Sequence, residues 1–281
     1  MQLAAEVEPT TAARHDPPKR ALEFKDITVR FGDYTAVKQA TISVADGEFV
    51  SIVGPTGCGK STLLNIAAGL LETTEGEILV FGEPLFGLNT DAGYLFQMDA
   101  LMPWRTALAN VVAGLEYRKV PKESARKLGL DWLKRVGLSG REDLYPHELS
   151  GGMRKRVALA QTLILDPKII LMDEPFSALD VQTRVLMENE LLNLWNADRK
   201  SVLFITHDLD EAISLSDKVI ILSAGPETRP IAEFVIDLPR PRDVYEIRTA
   251  PRFVELHSQI WEAMREEVLK AYERNQRKIG E

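Results

Sequence analysis

The chain is poorest in cysteine. Its 281 residues contain one, Cys58, which excludes an internal disulfide framework and fits a reducing compartment. Long apolar runs are also missing: none reaches the roughly 18 residues needed to cross a bilayer. The N-terminal stretch carries Glu6, Glu8 and Asp16 and lacks the continuous apolar segment of a secretion signal. Positive charge is scarce, with 34 Lys and Arg against 42 Asp and Glu, for a net charge of −8. A nucleic-acid partner is therefore not expected. No His, Cys and Asp cluster has metal-ligand spacing, and His15, His147 and His257 have no functional case. What remains is ordinary globular composition, 45% hydrophobic and 27% charged. The length suits one large domain, or a domain with a subdomain, around a real core. Any membrane association must come through a partner.

Residues 1–20 hold Pro9, Pro17, Pro18 and several charges without period, and read as a disordered tail. From Ala21 the pattern changes. Leu22 to Val29 alternates apolar and polar residues, as a half-buried strand does. Thr41 to Val44 reads as a second strand, followed by a turn at Asp46-Gly47. Phe49 to Val53 is continuously apolar, the mark of a strand buried on both faces. A helix is expected over Lys60 to Leu70 and a strand over Glu77 to Phe81. Residues 98–148 show no strong strand and read as a helical insertion, with Leu128, Trp132, Leu133 and Val136 on one face. Buried strands return at Ile169 to Met172, Val202 to Ile205 and Val219 to Leu222. Strands alternating with helices indicate an α/β core. Phe253, Leu256, Ile260, Met264 and Val268 share one face of a C-terminal helix.

Two segments carry the chemistry of phosphate. Gly54-Pro55-Thr56-Gly57-Cys58-Gly59-Lys60-Ser61 matches the pattern G-x-x-x-x-G-K-[ST] and joins a buried strand to a helix, the context that gives the pattern meaning. Its backbone amides and the helix N-terminus offer a positive cradle for phosphate. Lys60 supplies a charge for the β- and γ-phosphates, and the Ser61 hydroxyl suits Mg²⁺. Further on, Ile169 to Met172 delivers Asp173 and Glu174 at the carboxyl end of a strand, where open parallel sheets bind ligands. Asp173 suits Mg²⁺, and Glu174 is placed to act as general base for an attacking water.

A third segment, Leu149-Ser150-Gly151-Gly152-Met153, is glycine-rich, bears a serine and opens another helix. Its glycines allow close backbone approach to an anion; a helix C-cap is the plainer reading. Arg154, Lys155 and Arg156 follow in the first turn. They form either an anion-facing surface or a solvated one. Val157, Ala160, Leu163 and Ile164 fall on the buried side. Cys58 reads as a passive loop residue, although a helix N-terminus can lower a thiol pKa and make it reactive.

The ordered set resembles the ABC transporter ATPases over residues 22 to 225. Leu149–Met153 is similar to their signature, with Met153 in the final position. Ser177-Ala178-Leu179-Asp180 resembles the D-loop, Gln97 the Q-loop glutamine and His207 the switch histidine. Phe31 resembles the aromatic that stacks on adenine, with Tyr34 as runner-up and a core role as the alternative. The resemblance implies a P-loop NTPase core with an antiparallel β subdomain and a helical signature subdomain. It places the ATPase domain at 21–240, the helical part at about 98–160 and a helical extension at 241–281. It implies ATP held by Phe31, the loop from Gly54 to Thr62, and Gln97. Ser150, Gly151 and Gly152 of a partner subunit would complete the site in a head-to-tail dimer. Ser61, Gln97 and Asp173 would serve Mg²⁺, and Lys60, Glu174 and His207 would serve catalysis.

Within that family, Leu101-Met102-Pro103-Trp104-Arg105-Thr106 with Asn110-Val111 resembles the nitrate, sulfonate, taurine and bicarbonate importer branch. Leu238 to Arg242 and Phe253 to Trp261 are similar to the same branch. A surface turn with an anchoring aromatic is the alternative for Pro103-Trp104. The branch implies a peripheral protein on the cytoplasmic face of the cell membrane. Its partners would be integral permease subunits and, indirectly, a solute-binding protein, and its solute small and anionic. An exporter, a lipid-transport system and an importer of a vitamin precursor share the same catalytic motifs. A single loop and a single signature argue against a translation-type protein with two cassettes, and the short helical segment against a DNA-repair ATPase.

Overall fold

A computed structural model describes residues 19–279. Except for Lys19 and Arg20, the N-terminal tail lies outside the described residues. Two sheets organise the chain. The smaller is antiparallel, in the order β2-β1-β4-β5, and comprises β1 (Arg20–Phe31), β2 (Tyr34–Ala45), β4 (Glu75–Val80) and β5 (Glu83–Pro84). The larger has the order β10-β9-β3-β8-β7-β6. Its strands are β3 (Phe49–Val53), β6 (Ala92–Leu95), β7 (Ile169–Asp173), β8 (Ser201–Ile205), β9 (Lys218–Leu222) and β10 (Pro230–Val235). All its pairings are parallel except β10 on β9.

The continuous apolar strands have a simple cause. Along β7, Ile169 and Leu171 enter the core shared with α1 (Lys60–Ala67) and the small sheet, while Ile170 and Met172 enter the core on the opposite face. Along β8, Leu203 and Ile205 serve the first core, Val202 and Phe204 the second. The side-chain period of two thus feeds two cores at once, leaving no polar face. The second core is closed by α5 (Val181–Asp198) through Met187, Leu191 and Trp195.

A further core, built from Val111, Leu133, Val157 and Ala160 among others, joins α2 (Ala107–Tyr117), α3 (Lys122–Arg135) and α4 (Gly151–Leu163). Asn110 is fully buried in α2. Its amide nitrogen donates to the carbonyls of Met102, Arg105 and Thr106, and its oxygen accepts from the Met102 N–H at 2.8 Å. Asn110 therefore shapes the 101–106 loop. Trp104, 74% exposed, is not the anchor of that turn.

The C-terminal helices are α7 (Val244–Ile247) and α8 (Pro251–Ile279), and α6 (Leu209–Leu215) lies between β8 and β9. Phe253, Leu256, Ile260 and Met264 of α8 pack on Val53, Val219 and Ile221. The helix covers its own chain's sheet.

Several elements differ from the sequence expectation. α1 ends at Ala67, not Leu70. Gly69 follows with φ +68°, and a Cβ there would lie 1.8 Å from the Gly87 carbonyl. α4 begins at Gly151, with Ser150 as its N-cap, so the glycine-rich segment is a helix start and not a C-cap. The sequence reading missed β6 and β10. β6 has four residues, one of them Gly93, which sits where a Cβ would meet Thr162 Cγ2 at 2.7 Å. β10 is an edge strand that opens on Pro230, is interrupted by Glu233 and has apolar residues at both its half-buried and its exposed positions, so it shows neither clean alternation nor a continuous apolar run.

Candidate active site

β3 runs straight into the glycine loop. Gly57 and Gly59 have φ of +75° and +105°, conformations that only glycine adopts without strain. Gly54 is packed so closely that a Cβ would lie 3.1 Å from the Leu222 carbonyl and 3.2 Å from Cys58 Sγ. The Lys60 ammonium is turned back into the loop, donating to the carbonyls of Gly54 at 2.9 Å and Pro55 at 3.1 Å. Thr56, Gly57 and Ser61 are exposed at the rim, Pro55 is buried, and Thr62 is half-buried. The Thr228 hydroxyl, adjoining β10, bonds the Cys58 carbonyl and braces the loop from outside. Burial raises the Cys58 thiol pKa, outweighing the nearby Lys60 charge. The thiol is buried and protonated, and the reactive-cysteine alternative is withdrawn.

The Ser61 hydroxyl donates to Asp173 Oδ1 at 3.2 Å, so the end of the loop and the end of β7 meet. Burial raises the Asp173 carboxyl, opposed by the Ser61 hydrogen bond. A hydroxyl beside a carboxylate is an all-oxygen donor set that fits a hard divalent cation, one that completes its shell with phosphate and water. Next in line, Glu174 has φ +42°, the left-handed region that non-glycine residues rarely occupy. Its N–H donates to the Ile205 carbonyl at 2.9 Å. Its carboxylate Oε2 lies 3.0 Å from His207 Nδ1.

Glu174 and His207 share a cleft of about 490 Å³ with Gln97, Lys155 and Ser177. The Gln97 amide donates to Ser177 Oγ at 3.4 Å, and Ser177 Oγ donates to the Glu174 carbonyl at 2.9 Å. Gln97, Asp173, Glu174 and His207 therefore converge beside Lys60 and Ser61.

Sequence reasoning assigned Arg154, Lys155 and Arg156 to an anion-facing or a solvated surface. They serve neither. Lys155 is buried, donates to the Gln97 carbonyl at 2.5 Å and pairs with Asp99 at 3.1 Å. Arg154 pairs with Asp99 at 2.9 Å and Arg156 with Glu190 at 3.3 Å. Lys155 and Asp99 thus fix the Gln97 segment, a role no local spacing announces because its partners lie more than fifty residues away.

The glycine-rich segment opens α4, the helix whose Lys155 lines the cleft. Ser150 is exposed, and its hydroxyl accepts from the Met153 N–H at 3.3 Å. α4 packs on α2, α3, α5 and β6, whereas α1 packs on β2, β7 and β8. Gly151 has room for a Cβ, which would make ordinary van der Waals contact with Arg154 Nη2 at 3.8 Å and Leu179 Cδ2 at 3.9 Å. Gly152 does not, because its Cβ would meet Thr183 Cγ2 at 2.7 Å. Phe31, at the end of β1, is 50% exposed and Tyr34 is 49% exposed, which removes the core alternative for Phe31.

Comparison with known proteins identifies the family. The ABC transporter family model matches residues 37–177. An uncharacterized ABC transporter ATP-binding protein of Methanocaldococcus jannaschii is 48% identical over 263 residues, covering 92% of this chain and 96% of the relative. The taurine import ATP-binding protein of Burkholderia pseudomallei is 41% identical, covering 85% and 93%. A solved ATP-binding cassette, dimeric in a post-hydrolysis state with ADP and Pi, superposes with a TM-score of 0.68 at 33% identity. That match covers 78% of this chain and all of the cassette.

Proposed function

The chain belongs to the ABC transporter family as an ATP-hydrolysing subunit, and we propose that it energises import of a small anionic solute through separate permease subunits. One observation carries the mechanistic part. Glu174, His207, Gln97 and Ser177 surround one cleft beside Ser61 and Asp173, while Ser150 and Gly151 lie on helix α4, which does not pack on the loop's helix. In our reading ATP sits on the Gly54–Thr62 loop, with Phe31 against the base. Ser61 and Asp173, with Gln97 nearby, would hold Mg²⁺, which would supply positive charge against the phosphates. Glu174 takes a proton from water, and His207 holds the γ-phosphate. Ser150, Gly151 and Gly152 of a second copy close over that phosphate. ATP would thus shut the dimer by contacts made only in the closed state, and hydrolysis would release them.

No described helix is long and apolar enough to cross a membrane, so the transport reading needs integral partners. The exposed Trp104 on the loop fixed by Asn110 supports a docking surface for them. The likeness to a taurine import subunit supports an importer and a small organic solute that carries an anionic group. We place the assembled subunit on the cytoplasmic face of the membrane. Co-expression with an integral permease, followed by ATPase assays with solute-binding proteins loaded with taurine, nitrate or bicarbonate, tests the reading. Stimulation by one loaded binding protein is expected. A permease complex indifferent to every binding protein would point to export.

A further inference from the structure

Behind the cleft lies a charged network that phosphate chemistry alone does not require. Arg184 stands in the first turns of α5, its side chain largely buried. Its Nη2 donates to the Leu179 carbonyl at 3.3 Å, within the loop that carries Ser177. Its Nη1 donates to Asp208 Oδ2 at 3.2 Å, the residue after His207. Its Nε lies 3.6 Å from Glu211 Oε1. Glu211 is itself buried and accepts from Thr206 Oγ1 at 2.5 Å, and Thr206 directly precedes His207. The Asp208 N–H closes the circle by donating to Thr206 Oγ1 at 3.0 Å. Both neighbours of His207 are thus bonded into a frame that Arg184 completes.

A second arginine extends the frame. Arg248, just beyond α7, reaches Glu188 Oε2 at 3.3 Å and Asp210 Oδ2 at 3.8 Å. Glu188 is fully buried one turn after Arg184. Stability alone is a weak reason for this arrangement, because buried ion pairs lose in desolvation much of what they gain by attraction. A planar guanidinium that addresses three partners is instead well suited to fixing geometry.

We propose that Arg184 is a positioning residue for ATP hydrolysis. It sets the Ser177–Asp180 loop and the His207 loop at a fixed separation, and Arg248 carries the same fit outward to the C-terminal helices. Arg184 contacts none of Gln97, Glu174 or His207 through hydrogen bonds, so it acts through the loops that bear them. This inference rests on the ATPase reading of the cleft.

Arg184→Lys tests it in the full-length chain, because lysine keeps the charge but cannot address three partners at once. We expect kcat to fall at least about tenfold while KM for ATP moves less than about twofold, with Tm read alongside. Wild-type kcat, or a KM rise that accounts for the loss, would overturn the proposal. Should Arg184→Lys fail to fold, Arg248→Lys decides. Its kcat should fall about threefold at unchanged KM, and wild-type kcat there would also overturn it. A wild-type chain that binds ATP without hydrolysing it would contradict the ATPase reading itself.

Discussion

Glu174 Oε2 and His207 Nδ1 lie 3.0 Å apart, joining the end of β7 to the loop that leaves β8. The register of the two parallel strands makes this contact. Asp173 pairs with Ile205, so the residues that follow each strand emerge side by side at the carboxyl end of the sheet.

Glu174→Gln keeps the size of the side chain and a hydrogen bond to His207 while removing the basic carboxylate. ATP affinity should stay within about twofold, and turnover should fall by roughly 10²–10⁴. A closed dimer should accumulate with ATP, visible by size-exclusion chromatography. Near-normal turnover would remove Glu174 from the role of base.

The two signature glycines should respond differently to alanine. Gly151→Ala meets nothing closer than 3.8 Å, whereas Gly152→Ala meets Thr183 Cγ2 at 2.7 Å. Thermal or urea unfolding should show Gly151→Ala within about 0.5 kcal/mol of wild type. Gly152→Ala should lose about 1–3 kcal/mol through overpacking. Adding Thr183→Ser, which deletes the offending methyl, should restore most of that loss. Equal effects of the two alanines, or no rescue, would contradict the packing account.

Stability should also depend on pH through α5. Burial, aided by repulsion from Glu211, pushes the Glu188 carboxyl up to about 8, and burial raises Glu211 as well. Unfolded, a glutamate titrates near about 4.3. The folded chain therefore holds the proton more tightly. This contribution is complete below the unfolded value and fades as pH rises through the folded one. Tm should drop as pH is raised from about 6 to about 9, and Glu188→Gln should make the drop shallower. A Tm that holds level or climbs over that range would contradict the assignment.

Much of the fold is legible in the sequence because burial on both faces leaves a plain mark. Phe49–Val53 apart from Ser51, Ile169–Met172 and Val202–Ile205 are apolar, since each strand feeds two cores. β6 and β10 are hidden for different reasons: one is too short and carries glycine, the other is an edge strand whose run is broken by Glu233 and whose exposed positions, Ile231 and Val235, are as apolar as its half-buried ones. At the site, the glycine loop, Asp173, Glu174 and His207 are legible because each stands at a strand end. Lys155 and Arg184 are not. Their partners, Gln97, Asp99, Asp208 and Glu211, are distant in sequence, and a buried charge reads like a surface one until its partner is seen.

The central claim is that one nucleotide site is built from two chains. Mixing two inactive variants tests it most directly. Lys60→Met disables the phosphate loop, whose lysine is aimed at the Gly54 and Pro55 carbonyls. Gly151→Asp meets only ordinary contacts at its Cβ, with Arg154 Nη2 at 3.8 Å and Leu179 Cδ2 at 3.9 Å, and sets a negative charge where phosphate should approach. In a head-to-tail heterodimer one site carries both lesions and the other carries neither. ATPase activity absent from each variant alone should reappear on mixing and scale with the heterodimer fraction. A mixture as inactive as its components would contradict the shared site.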